Sequence, residues 1–175
     1  EILYVMSVAR EHGSLVMVHA ENEDAIECLR DRAERTGETA PLHHARTRPV
    51  PVEREATHRA ITLAEIAGVP LTIVHVSNGE AMDEISRARK RGVRVYAETC
   101  PQYLLLDEER YKEPDWNGAK YVMSPPLRTK ESNDALWEGL RGGDLQVVAG
   151  VGDDAHQQQR NHQRDTTDDQ ELSAK

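Results

Sequence analysis

Apolar residues recur along this chain in two alternating rhythms, one helical and one strand-like. Ile2, Leu3, Met6 and Ala9 fall at helical spacing with Gly13 as a natural stop, and the short apolar run 15–18 follows. Helical spacing returns over 22–35 through Ala25, Ile26, Leu29 and Ala33, punctuated by Thr36-Gly37. A long loop carrying His43-His44, Pro49 and Pro51 comes next. The pattern is helical again over 53–67, through Ala56, Ala60, Ile61 and Ala64, and after Gly68 the run 71–74 reads as a buried strand. The cycle repeats as a helix over 80–91, a cap at Gly92 and a strand over 93–96. It repeats once more as a helix over 130–141, the pair Gly142-Gly143 and a strand over 145–148. Short apolar strands separated by helices predict parallel pairing with crossover helices, an α/β architecture. Open doubly wound sheets and closed barrels both satisfy this pattern.

The rhythm stops after Gly150. Residues 157–175, with Gln157-Gln158-Gln159 and Asp168-Asp169, carry almost no large apolar side chain, so 150–175 reads as a disordered or non-native tail behind a domain over 1–149. With 38% hydrophobic residues in 175, the chain has material for one modest domain. Its net charge of -9 is spread through the helices, which argues against nucleic acid or an anionic membrane surface and favours a small-molecule substrate. Cys28 and Cys100 lack CxxC spacing, so neither a disulfide framework nor a zinc ribbon is indicated, and a reducing cytoplasm is the default. No apolar run approaches the roughly 20 residues of a spanning helix, and no signal-peptide pattern opens the chain. Glu1-Ile2-Leu3-Tyr4 reads instead as the middle of a helix, an expectation that the sequence starts in mid-domain.

In parallel α/β folds, chemistry gathers at the carboxyl ends of strands. His19 follows Val18, and His75 follows Val74, each closing an apolar run. Two such histidines can face one another and bind a divalent metal as neutral imidazoles. Asp153 and Asp154, beyond the fourth run, offer a hard oxygen ligand or a general base. Plainer readings stand beside these. A strand-end histidine can be a hydrogen-bonded structural residue, and His43-His44 suits a solvated turn. Glu80, Asp83 and Glu84 suit the first turn of a helix, where negative charge complements the dipole. His12 and His58 read as ordinary helix residues, and Cys100 before Pro101 as a small buried side chain. Ser124, ahead of Pro125-Pro126, suits either a ligand contact or a rigid turn.

Five stretches carry a further signal. They are Val18-His19-Ala20-Glu21-Asn22; Arg48-Pro49 with Glu55-Ala56; Ile73-Val74-His75-Val76-Ser77; Glu98-Thr99-Cys100-Pro101-Gln102-Tyr103-Leu104; and Tyr121-Val122-Met123-Ser124-Pro125-Pro126-Leu127-Arg128. In order and spacing, over about residues 1 to 149, they resemble the dihydropyrimidinases and D-hydantoinases, cyclic amidohydrolases of the amidohydrolase superfamily. Allantoinases and dihydroorotases are relatives, but 98–104 and 124–128 look more like the hydantoinase branch.

The resemblance implies a (β/α)8 TIM-type barrel, of which this chain would be an interior part of about four βα units. It implies two zinc ions bridged by a carboxylated lysine and a hydroxide, opening cyclic amides such as dihydropyrimidines and hydantoins to N-carbamoyl amino acids. His19 and His75 would be ligands of one metal, and Ser124 the serine whose main chain holds the cyclic imide. The family's metal-binding aspartate, also its proton shuttle, follows the strand matched by 145–149. Here Gly150-Val151-Gly152 stands where a Thr-Asp-His-like turn is expected, so Asp153 is a displaced candidate for the catalytic and metal-binding role. The family's first-strand His-x-His pair, its bridging lysine and a downstream substrate-binding asparagine have no counterpart. A reading-frame change or a mispredicted terminus would account for the polar tail. The chain alone is therefore expected to be inactive and, with open barrel edges, poorly stable. The full-length family implies a cytoplasmic tetramer. The alternatives are a non-catalytic dihydropyrimidinase-like scaffold, against which the two retained histidines argue, and allantoinase or dihydroorotase activity.

Overall fold

In the computed structural model, which describes residues 1–150, the two rhythms resolve into a parallel sheet with helices packed along it. The order is α1 (Ile2–Glu11), β1 (Val16–Val18), α2 (Glu23–Arg35), α3 (Pro41–Arg46), α4 (Val50–Ala67), β2 (Leu71–Ile73) and α5 (Gly79–Lys90). Then follow β3 (Val95–Thr99), α6 (Pro101–Leu105), two 3₁₀ turns (Glu108–Lys112 and Asn117–Tyr121), α7 (Lys130–Gly142) and β4 (Val147–Val148). Asparagines start two of the helices by satisfying otherwise unpaired amides. Asn22 accepts from Ala25 N at 3.0 Å and Asn78 from Ala81 N at 2.9 Å. Gly68 and Gly143, at φ 69° and 78°, end α4 and α7 in the left-handed conformation that other residues resist.

The strands lie in the order β1-β2-β3-β4, all parallel. Val16, Leu71 and Val95 share one register row, Met17, Thr72 and Tyr96 the next, and Val18, Ile73 and Ala97 the third. Because side chains alternate along a strand, the odd rows point one way and the middle row the other. Leu71, Ile73, Val95 and Ala97 are buried beneath the helices, whereas Met17 and Tyr96 remain 61% and 46% exposed on the opposite face. The helices rank in the same sequence as the strands: α1 packs on α4, α4 on α5, and α5 on α7. Ala60, Ile61 and Ala64 of α4, Ala81, Ile85 and Ala88 of α5, and Leu136 of α7 form the interior, small side chains letting α4 and α5 approach closely.

Several elements differ from the expected ones. The third strand runs over 95–99, not 93–96, because Val93 N still bonds Ala88 O in the turn that ends α5. The segment expected to be a loop through His43-His44 contains helix α3, begun by Pro41. Pro101 likewise opens α6, which the apolar rhythm does not reveal. No helix among the described residues is long and apolar enough to cross a membrane. The segment 150–175 expected to be a disordered or non-native tail, and with it Asp153 and Asp154, lies outside the described residues apart from Gly150.

Candidate functional site

The parallel pairing of β1 with β2 decides where the two strand-end histidines go. Val18 is in register with Ile73, and Val74 N extends the ladder by bonding Val18 O at 3.2 Å. The chains then leave the sheet side by side at its carboxyl end. His75 does so with φ 46°, a left-handed conformation unusual for a non-glycine residue and the sort of local strain that accompanies functional turns. The turn sets its ring edge-on to that of His19, with Nδ1 of His19 2.8 Å from Nε2 of His75 and the planes 70° apart.

The outer nitrogen of His19 is engaged. His19 Nε2 lies 3.2 Å from Oε2 of Glu21, whose side chain is only 2% exposed. The His75 ring turns its Nε2 towards His19. The roles of the facing nitrogens Nδ1 and Nε2 depend on the tautomers, and where neither carries a proton both are lone pairs. Two lone pairs so close repel unless a proton or a cation lies between them. The charges follow this layout. The hydrogen bond to Glu21 raises the pKa of His19 against the opposing effect of burial, while burial and then the His19 charge lower that of His75. Burial pushes the Glu21 carboxyl upward, but hydrogen bonds from His19 and Ser124 outweigh it and leave the group below its ordinary value.

Ser124 comes to the same place from 103 residues further along, donating from Oγ to Glu21 Oε2 at 2.6 Å. Arg48 Nε donates to that hydroxyl at 3.2 Å, and Arg48 Nη1 lies 3.2 Å from His44 Nδ1. His44 Nε2 is 2.7 Å from the carbonyl of Met123, so the residue before Ser124 is braced by α3. His44 is therefore a half-buried strut and not the solvated turn residue expected of it. Its pKa is lowered, by burial first.

Beside this cluster lies a node that sequence reasoning missed. Glu53, on α4 and 2% exposed, accepts from Ser77 N at 2.9 Å, from Asn78 Nδ2 at 2.7 Å, from Arg128 Nη2 at 3.0 Å and from the Ser77 hydroxyl. Arg128, 6% exposed, adds a bond from Nε to Ser77 Oγ at 3.0 Å and another to the carbonyl of Arg48. The node joins the turn after His75 to the segment after Ser124. One sequence signal was available, since Glu53 stands three residues before Ala56 and seven before Ala60, on the apolar face of its helix.

The other singled-out residues are placed away from the cluster. His58 pairs with Glu84 at 2.9 Å and Arg54 with Glu80, both between α4 and α5. His12 is exposed, and Cys100 is half-buried with its thiol pKa pushed up by burial. Among the described residues no three His, Cys, Asp or Glu side chains gather as a complete metal site. The donor set is a facing imidazole pair, fewer than the three or four protein ligands of a finished zinc site but of the right chemistry for part of one.

No protein-family model matches the chain. The D-hydantoinase of Streptomyces coelicolor is 54% identical over 149 residues, which are 85% of this chain and 32% of that protein. The D-hydantoinase of Geobacillus stearothermophilus is 51% identical over 140 residues, 80% of this chain and 30% of that protein. Among solved structures, a D-hydantoinase superposes with a TM-score of 0.84 at 50% identity, covering 85% of this chain and 33% of that one. The dihydropyrimidinase of Brevibacillus agri superposes with a TM-score of 0.83 at 48% identity. The chain spans about a third of the length of the curated relatives it matches.

Proposed function

Because the chain belongs to the D-hydantoinase and dihydropyrimidinase family over the third of its relatives' length that it spans, we propose that it carries part of the metal site of a cyclic-amide hydrolase. The reaction is the opening of a dihydropyrimidine or hydantoin ring by water to an N-carbamoyl amino acid. The observation that carries this reading is the His19–His75 pair, with facing nitrogens 2.8 Å apart and the outer nitrogen of His19 3.2 Å from Glu21. That donor set fits a divalent ion that accepts neutral imidazoles, zinc first among them. His19 Nδ1 and His75 Nε2 would hold it. When bound, such an ion lowers the pKa of water and polarises a carbonyl.

The chain's own residues supply the setting. Ser124 directs its hydroxyl to Glu21, which leaves its main-chain amide and carbonyl to hold the imide edge of the ring. Arg48 and His44 fix the serine's approach. Asp153 is the candidate for proton transfer and for ligation of the second ion. The carboxylated lysine that bridges two zinc ions in the family has no counterpart in this sequence. The strand order β1 to β4 shows no reversal, the helices form one rank, and Met17 and Tyr96 line an open opposite face. This arrangement supports four βα units of a (β/α)8 barrel over a doubly wound sheet, which reverses its order at a switch point. Cytoplasmic residence and a tetramer go with the family reading.

The test is a graft. Residues 1–149 replace the matching third of the Streptomyces coelicolor D-hydantoinase, and zinc-loaded chimera and isolated chain are assayed for hydantoin and dihydrouracil ring opening. The chimera is expected to turn over within about tenfold of its parent, a barrier higher by no more than about 1.4 kcal/mol, and the isolated chain not above a zinc blank. A folded, metal-loaded chimera without turnover would contradict the proposal.

A further inference from the structure

Glu21 is a buried carboxylate that does not itself hold the ion or the substrate in the proposed site and, among the described residues, makes no ion pair with a lysine or arginine. Burying such a group is unfavourable unless hydrogen bonds or a paired charge compensate it. Its Oε2 is the meeting point of an ion-pair contact, 3.2 Å from His19 Nε2, and a hydrogen bond, 2.6 Å from Ser124 Oγ, while its Oε1 is buried with no partner among the described residues. The direction of each bond is fixed by chemistry. Arg48 has only N–H groups to give, so the Ser124 oxygen accepts from Arg48 Nε and its own proton must go to Glu21. At the other end an ionised carboxylate accepts only, so the 3.2 Å contact favours the His19 tautomer that carries its proton on Nε2 and presents Nδ1 to His75.

We propose that Glu21 is a positioning residue that joins two halves of the site through one oxygen, setting the tautomer of His19 and the orientation of Ser124 together. The proposal rests on the reading of His19 as a metal-holding residue and Ser124 as a substrate-holding one. Glu21 touches neither ion nor substrate. Its role follows the general pattern in which a carboxylate behind an imidazole fixes which ring nitrogen is free. What is specific here is the sharing: without Glu21, the Nε2 proton of His19 loses its acceptor and the favoured bond becomes Nδ1–H to His75, which blocks both facing nitrogens at once. The serine hydroxyl is released in the same step.

The experiment uses the 175-residue chain as wild type, Glu21→Ala and Glu21→Gln. Ring 15N shifts of His19, recorded at pH 9 without metal, tell the Nε2–H tautomer from Nδ1–H. Wild type and Glu21→Gln are expected as Nε2–H, because the amide oxygen also accepts, and Glu21→Ala as Nδ1–H. Zinc affinity, measured by competition with a chromophoric chelator, is expected to fall about 10- to 100-fold in Glu21→Ala and about threefold in Glu21→Gln, whose neutral oxygen is the weaker acceptor. Amide hydrogen exchange over 121–128 should quicken in Glu21→Ala and return towards wild type in Glu21→Gln. A Glu21→Ala chain with wild-type tautomer and affinity would overturn the proposal. If that variant fails to fold by circular dichroism, unchanged zinc affinity in Glu21→Gln overturns it instead. A wild-type chain that binds no zinc would refute the metal reading alone, and the tautomer comparison would still decide the role of Glu21.

Discussion

Glu53 and Glu21 are two buried carboxylates at the same end of the same sheet, each with a side chain about 2% exposed, yet their surroundings are finished to different degrees. Glu53 receives bonds from Ser77, Asn78 and Arg128 that satisfy both its oxygens from within the chain. Glu21 has one oxygen contacted by His19 and Ser124 and the other without a partner among the described residues, and next to it two imidazole nitrogens face each other 2.8 Å apart. The sheet repeats the contrast. Its helix-covered face is closed by Leu71, Ile73, Val95 and Ala97, while Met17 and Tyr96 stand open on the other. Glu53 ties the frame together through the chain's own side chains, whereas Glu21 serves the histidine pair and the serine of the proposed site.

The contrast can be broken first at its finished side. Arg128→Met leaves Glu53 buried without its cation, and should cost about 3–5 kcal/mol in urea unfolding. The pair Glu53→Leu with Arg128→Met should cost less than the two single changes added together, since neither charge is then stranded. Costs that simply add would mean the node is not one unit. Leu136→Ala, at a fully buried position of α7, should cost about 2–5 kcal/mol by the same measurement.

A smaller effect is expected between the two regions. His44→Gln removes a strut to Met123 and should cost about 1 kcal/mol near neutral pH. Burial, with help from the Arg48 and Arg128 charges and against the pull of the Met123 carbonyl and of Glu21, holds the folded His44 pKa below its ordinary value of 6.5. The unfolded chain therefore takes up this proton first as the pH falls. Stability from His44 is complete above about pH 6.5 and declines through the window beneath it. Urea midpoints taken down that window should fall less steeply in His44→Gln, and parallel curves would remove His44 from the account. The smallest effect belongs to the open face, where Tyr96→Ser or Met17→Ser should stay within about 0.5 kcal/mol of wild type. A loss like that of Leu136→Ala would mean that face is already packed.

The histidine pair was legible because it depends on two local facts: each apolar run ends on a histidine, and parallel strands in register bring their ends together. Both survive even though β2 and β1 are each a residue shorter than the runs that announced them. Helices α3 and α6 were not legible, since six and five residues are too few for a 3.6-residue period to emerge, and a starting proline reads equally well as a turn. Glu53 and Arg128 escaped for a different reason. They lie 75 residues apart, and a charged residue in the first turn of a helix looks like a solvated one until its partner is known. Glu21 was visible only as a letter within a motif, because its meaning comes from Ser124, 103 residues on.

The central claim is that His19 and His75 jointly present one metal-binding face. Isothermal titration of zinc into the 175-residue chain, with His19→Ala, His75→Ala and His58→Ala alongside, tests it most directly. The account predicts one zinc per wild-type chain, loss of that binding in each of the first two variants by more than the about 10- to 100-fold expected of an outer partner, and wild-type binding in His58→Ala. No zinc bound by the wild-type chain, or equal binding in all three variants, would contradict it.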